Sequence, residues 1–216
     1  MKLTENQLQE LARQLSHPEG KTGLEVAEMM NFTNGNLINK VIDSLHIKEG
    51  DTVLEIGPGN GAHVSSVTKT ADTLYYGADI SETMIHQAQK INASQVNASF
   101  ILTNGDTLPF ETEFFKKAFT VNTIYFWKAP QAYAAEIARV MQPGGTVSIG
   151  FIPKSTMIKI PFAKYGFTMY EAADVEKLLK DTGFKILDTI EDTEQVLSNN
   201  VEYIDREITI VTAVLK

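Results

Sequence analysis

The sequence predicts an α/β fold: a doubly wound, seven-stranded, mostly parallel sheet, closed by a C-terminal antiparallel hairpin and preceded by a helical lid. Three observations carry this expectation. From Asp51 onward, short β-branched apolar runs alternate with segments of helical spacing, the pattern of a parallel sheet covered on both faces. The last two strand-like runs follow one another without a helix, so they pair antiparallel. Residues 1–48 show only helical periodicity.

In the N-terminal segment, Thr4 with Gln7 fits a capping box, and Leu3 with Leu8 stand at the staple positions beside it. Leu8, Leu11, Ala12 and Leu15 then share a face. A second helix is expected over GLEVAEMMN (23–31). A third is expected over NLINKVIDSLHI (36–47), where Leu37, Ile38, Val41, Ile42 and Leu45 align, with MNFTNGN leading into it. The expected strands are TVLEI (52–56), LYYGAD (74–79), SFILT (99–103), KAFTVNT (117–123), GTVSIGF (145–151), KILDTI (185–190) and REITIVTAV (206–214). Helices are expected at 62–70, at 82–91 behind the cap candidate Ser81, at 130–141 with Pro130 at its start, and within 170–184, ended by Gly183.

The chain of 216 residues reads as one domain, with 1–48 as helical cap, 49–216 as α/β core and 152–168 as a lid insertion. No apolar run is long enough to span a membrane, and MKLTENQLQE has no signal-peptide core. The absence of cysteine excludes disulfides and thiolate metal sites and fits a cytoplasmic location. A net charge of −8 argues against nucleic acid as the main partner. These features point to a small-molecule ligand and leave the oligomeric state unread.

The chemistry concentrates in EIGPGNG, residues 55–61. Three glycines in five residues (Gly57, Gly59, Gly61) exceed what a strand-to-helix turn needs, and with Ala62 the stretch also fits a dinucleotide fingerprint. Two features disfavour a pyrophosphate there. Pro58 removes an N–H donor, and Glu55 puts a negative charge just ahead of the loop. Both suit a cationic ligand without phosphate, such as S-adenosylmethionine, although Glu55 could equally brace the loop by accepting its N–H bonds. Asp79, ending the second strand, suits a ribose diol or a helix cap. Asp106, in TNGDTLPF, suits an adenine amine or an Asx turn beside Gly105. Ile80 and Met84 could sandwich an adenine ring or belong to the core.

VLEIGPGNG, YYGADISETMIHQA, GDTLPF and MQPGG, in this order over residues 30–192, resemble the successive motifs of class I S-adenosylmethionine-dependent methyltransferases. The small-molecule branch that includes ubiquinone/menaquinone C-methyltransferase-like proteins is the nearest flavour. The resemblance implies a Rossmann-like fold, with Gly57, Pro58, Gly59, Asn60 and Gly61 against the methionine and ribose, Asp79 on the ribose diol, and Gly105, Asp106 and Thr107 beside adenine. It implies an approach to the sulfonium and acceptor at VNTIYFW, where Asn122 and Tyr125 are the catalytic candidates and Tyr125, Phe126 and Trp127 line an acceptor pocket. Phe162 and Tyr165 would face substrate from the lid. No metal site is expected, a base is needed only if the acceptor must lose a proton, and of the four histidines only His17 stands where a lid could bring it to the acceptor. Competing readings are an NAD-dependent oxidoreductase and a non-catalytic protein that binds the cofactor.

Overall fold

The computed structural model describes residues 3–70, 72–197 and 203–216. Among these, seven strands form one sheet in the order β3-β2-β1-β4-β5-β7-β6. The central strand β1 (Thr52–Ile56) pairs parallel with β2 (Leu74–Asp79) and with β4 (Phe115–Val121). β3 (Ala98–Leu102) extends one edge, and β5 (Met141–Phe151) continues parallel on the other side. The hairpin β6 (Phe184–Leu197) and β7 (Tyr203–Leu215) completes the sheet, with β7 antiparallel to β5. The chain reverses its direction of winding between β1 and β4. The carboxyl ends of these two strands therefore open a crevice, the usual ligand position in such sheets.

Helices cover both faces. α1 (Glu5–Ser16) carries the expected Thr4–Gln7 capping box. α2 (Gly20–Ser44) packs against β4 and β5 beside α3 (Val64–Thr68) and α4 (Glu82–Ile91). Leu37, Val41, Leu45, Val64, Val67 and Ala88 are fully buried in that layer. The opposite face holds α5 (Pro130–Val140), with proline in its first turn, and α7 (Ala172–Asp181), burying Ala134, Ile137, Val140, Val175 and Leu179. A short helix α6 (Lys154–Met157) and a 3-10 turn (Pro161–Lys164) occupy the expected lid segment.

The largest departure from expectation is α2, a single helix of 25 residues where two were expected. Asn34 and Gly35 carry a turn signature, yet their polar neighbours find partners in the distant hairpin. Asn36 Nδ2 donates to Glu194 Oε2 at 2.7 Å, and Arg206 Nη2 donates to the Thr33 carbonyl at 2.8 Å. Tertiary bonds thus override a local helix breaker. α2 also approaches the sheet closely: a Cβ on Gly150 of β5 would lie 2.4 Å from Val41 Cγ2. Other boundaries shift for local reasons. β4 ends at Val121 because Asn122 turns to φ +58°, and α3 starts only at Val64 because residues 57–61 are spent on the turn.

Candidate active site

The glycine loop leaves β1 in a left-handed conformation at Gly57, Gly59 and Gly61, with φ of +73°, +56° and +68°. A Cβ on Gly57 would lie 2.4 Å from Thr123 Cγ2, so the loop is seated directly on the segment that follows β4. Its N–H groups are turned inward. Gly57 donates to the Ala78 carbonyl at 2.8 Å, Gly59 to Asp79 Oδ2 at 3.2 Å, Gly61 to the Pro58 carbonyl at 3.1 Å and Ala62 to Asn60 Oδ1 at 3.2 Å. Position 58 is proline. Within residues 57–62 only the Asn60 N–H lacks a partner among the described residues. The dinucleotide alternative requires a cluster of free donors, and this loop does not offer one.

Glu55 is buried, and its expected role as a brace for loop N–H groups is not what forms. Both its oxygens lie 2.8 Å from His63 Nε2, and the Tyr75 hydroxyl donates to it as well. Burial alone would lower the His63 pKa, but the Glu55 charge and hydrogen bond outweigh it and raise the value. Glu55 thus favours the charged form of His63, and Asp79 is the other buried carboxyl lining this end of the cavity. Burial pushes the Asp79 pKa up to about 6, against the N–H bonds of Ser81 and Gly59. Its oxygens accept from the Ser81 N–H at 2.9 Å and the Gly59 N–H at 3.2 Å, and the Ile80 N–H also favours the ionised form. A carboxylate has about four acceptor positions, so among the described residues it keeps room for a hydroxyl donor. The helix-capping role falls to Ser81, whose hydroxyl accepts from the Met84 N–H at 3.1 Å.

One continuous cavity of about 280 Å³ joins most of the expected residues. Glu55, Gly57, Pro58, Gly59, Asn60, Asp79, Ile80, Met84 and Gly105 line it on the loop side, and Asn122, Tyr125, Phe126, Trp127 and Phe162 on the other. Four expected residues do not line it. Gly61 packs against Ala88 and Asn92 behind the loop. Asp106 and Thr107 are exposed, with Lys128 Nζ 4.0 Å from the Asp106 carboxylate, and the Asx turn beside Gly105 is made by Asn104. Tyr165 turns its hydroxyl to Glu5 of α1. His17 stands on the surface beside Glu19, while its neighbours Ser16 and Pro18 reach the cavity.

At the end of β4, Asn122 holds its left-handed backbone, which asparagine tolerates better than most residues. Its Oδ1 accepts from the Tyr125 hydroxyl at 2.9 Å, and that hydroxyl accepts from the Ile152 N–H at 2.6 Å. Tyr125 is buried, and burial chiefly drives its pKa upward, so it remains a neutral phenol that ties the ends of β4 and β5 together. Trp127 Nε1 donates to Thr123 Oγ1 at 3.3 Å. Residues of α1, α2 and the turn between them line the cavity beside the loop. Asn31 Nδ2 of α2 donates to Asn60 Oδ1 at 2.9 Å, the Ser81 hydroxyl donates to the Pro18 carbonyl, and Gly20 N–H donates to Thr83 Oγ1 at 3.2 Å. Sequence reasoning missed His63, Asn31, Asn34 and Arg206, all of which line the cavity. For His63 a signal existed, a carboxylate eight residues upstream in the same turn; Arg206 carries none locally.

Residues 54–149 match the family of the methyltransferase domain. Among curated relatives, an O-methyltransferase of Aspergillus sclerotiorum is 25% identical over 74% of this chain and 65% of its own length. A demethylmenaquinone methyltransferase of Tropheryma whipplei is 28% identical over 60% of each. The chain thus matches less than two thirds of either relative. Among solved structures, a methyltransferase dependent on S-adenosylmethionine from Aquifex aeolicus superposes with a TM-score of 0.68 at 20% identity over the full length of both chains. A chain of the complex between the Haloferax volcanii Trm112 methyltransferase activator and a methyltransferase reaches 0.78 at 17% identity, over 95% of this chain and 97% of that one. Motifs, fold and domain agree: residues 54–149 match a methyltransferase domain, and the chain has the fold of S-adenosylmethionine-dependent methyltransferases.

Proposed function

We propose that the protein methylates a small, partly apolar molecule with S-adenosylmethionine. The observation that carries this reading is the glycine loop whose N–H donors are satisfied internally, beside a buried carboxylate with spare acceptor capacity. Such a surface receives a nucleoside that has hydroxyls and no phosphate. The fit extends outward: a Cβ on Gly59 would meet nothing within 4 Å, and Ile80 and Met84 give an apolar wall next to Asp79.

In this reading the loop from Gly57 to Asn60 follows the methionine and ribose, Asp79 accepts from the ribose diol, and Ile80 and Met84 flank the adenine. When bound, S-adenosylmethionine supplies an electrophilic methyl: the acceptor's lone pair forms the new bond to carbon as the carbon–sulfur bond breaks and its electrons pass to sulfur, giving S-adenosylhomocysteine. The chain's own part is to align and to exclude water. Asn122 presents its side chain at the mouth of β4, and Tyr125 acts through Asn122 as a positioning residue. Phe126, Trp127 and Phe162 supply an apolar wall for the acceptor, with aromatic faces suited to a neighbouring cation. α1, the first half of α2 and residues 152–168 form the lid.

Thermal unfolding tests this directly. S-adenosylmethionine or S-adenosylhomocysteine at about a hundred times its dissociation constant stabilises by about 2.7 kcal/mol, a rise of roughly 5–10 °C for a domain of this size. The same rise with both sulfur nucleosides and none with NAD is expected. A rise with NAD alone overturns the reading in favour of an oxidoreductase.

A further inference from the structure

The cavity is lined by a buried guanidinium whose hydrogen-bonding capacity is not exhausted by the described residues. Arg206 of β7 is 9% exposed and lines the cavity. Its Nε donates to Glu194 Oε1 at 3.0 Å, one Nη2 hydrogen goes to the same oxygen and the other to the Thr33 carbonyl at 2.8 Å, and one Nη1 hydrogen goes to Asn34 Oδ1 at 3.3 Å. A guanidinium carries five N–H bonds. One, on Nη1, has no partner among the described residues. Leaving a charged donor unpaired in an apolar setting is costly, and buried donors are nearly always satisfied.

Met30, Asn34 and Ile38 follow one another at helical spacing on α2, so Asn34, which bonds Arg206, stands between two apolar residues; Met157 and Phe162 of the lid segment line the same cavity. Glu194 is itself buried, with one oxygen bonded by Arg206 and the other by Asn36. The Arg206–Glu194 pair is therefore neutral as a unit and offers one donor without a net charge. That arrangement suits a neutral oxygen, since an incoming anion would also face Glu194. The charge of Arg206 also acts on the Tyr125 hydroxyl, against the larger upward effect of burial, which places Arg206 within electrostatic reach of the residue that holds Asn122.

We infer that Arg206 is a specificity-determining residue that donates its remaining N–H to a neutral carbonyl or ether-type oxygen on an otherwise apolar methyl acceptor. The inference rests on the methyl-transfer reading, because that reading assigns this end of the cavity to the acceptor.

The test is an equilibrium titration of protein saturated with S-adenosylhomocysteine, using three bicyclic probes: 1-tetralone, its hydrocarbon twin tetralin, and 2-naphthoate. A hydrogen bond from a charged donor predicts that wild type binds tetralone about tenfold more tightly than tetralin, and 2-naphthoate no more tightly than tetralin. Replacing both partners, R206L with E194L, avoids a lone buried charge. That variant is expected to bind the two neutral probes equally while its S-adenosylhomocysteine affinity stays within about threefold of wild type. Equal affinity for the neutral probes in wild type, a preference for naphthoate, no measurable binding of any probe, or a tetralone preference that survives the double replacement each overturns the inference. Failure to bind S-adenosylhomocysteine is scored in the loading step, before any probe is added, and counts against the methyl-transfer reading instead.

Discussion

At the loop end of the cavity, the bonds among the strand ends and the turns that follow them join residues close in sequence: Glu55 with His63 eight positions apart, and Gly59 with Asp79 and Glu55 with Tyr75 twenty apart. At the acceptor end, the bonds that shape the wall join Asn36 to Glu194 and Arg206 to Asn34, separated by 158 and 172 positions. The first end is a local device, two consecutive strand ends and the turns that follow them. The second is assembled by bringing a long N-terminal helix down onto a C-terminal hairpin. On the proposed reading, the nucleoside half of the reaction is written in short motifs and the acceptor half in tertiary contacts.

Substitutions separate the two ends, and the largest effect is expected at Gly57. A methyl group there meets Thr123 at 2.4 Å and must also sustain φ +73°. Strain and overpacking together predict a loss of about 2–5 kcal/mol for G57A. Urea denaturation measures the stability loss, and titration with S-adenosylhomocysteine should show affinity falling by more than about a hundredfold. The matching lesion at the other end is G150A, whose methyl would press on Val41 of α2 at 2.4 Å. Overpacking predicts about 1–3 kcal/mol of destabilisation, with S-adenosylhomocysteine affinity nearly unchanged. If G150A abolished nucleoside binding, the two ends would not be separable. A smaller, sharper effect is expected for N122G, which keeps the left-handed backbone and removes the acceptor of the Tyr125 hydroxyl. Turnover should drop about tenfold while nucleoside affinity holds, as expected for a residue that matters mainly at the transition state; equal losses in both would move Asn122 into the nucleoside half.

The same contrast explains what was legible in the sequence. The alternation of apolar runs predicts the sheet and its closing hairpin, because a strand buried on both faces declares itself residue by residue. Most of EIGPGNG and the acid ending β2 were legible as cavity residues because both stand at a strand end. The continuity of α2 was not legible, because Asn34 and Gly35 are turn formers whose environment is rescued by Glu194 and Arg206 from the far end of the chain. Asp106 and Thr107 illustrate the converse. Their position after β3 is motif-like, but Asn104 takes the turn bonds and leaves both side chains in solvent. His63 shows that even a local partner can be overlooked when helical spacing suggests a residue inside a helix, whereas the turn still holds the chain at that point.

The central claim is that Asp79, ionised, receives the ribose hydroxyls of a sulfur nucleoside. A buried carboxyl with a pKa of about 6 makes this testable by pH, because hydroxyl donors bond the ionised form and must displace a proton from the protonated one. The measurement is a calorimetric titration with S-adenosylhomocysteine at pH 8 and pH 5, on wild type and on D79N. Affinity is expected to fall about tenfold for wild type between these values, as the ionised fraction falls below the pKa. D79N should bind more than about tenfold more weakly at pH 8 and show no such dependence. Wild-type affinity that ignores pH, together with an unimpaired D79N, would contradict the account.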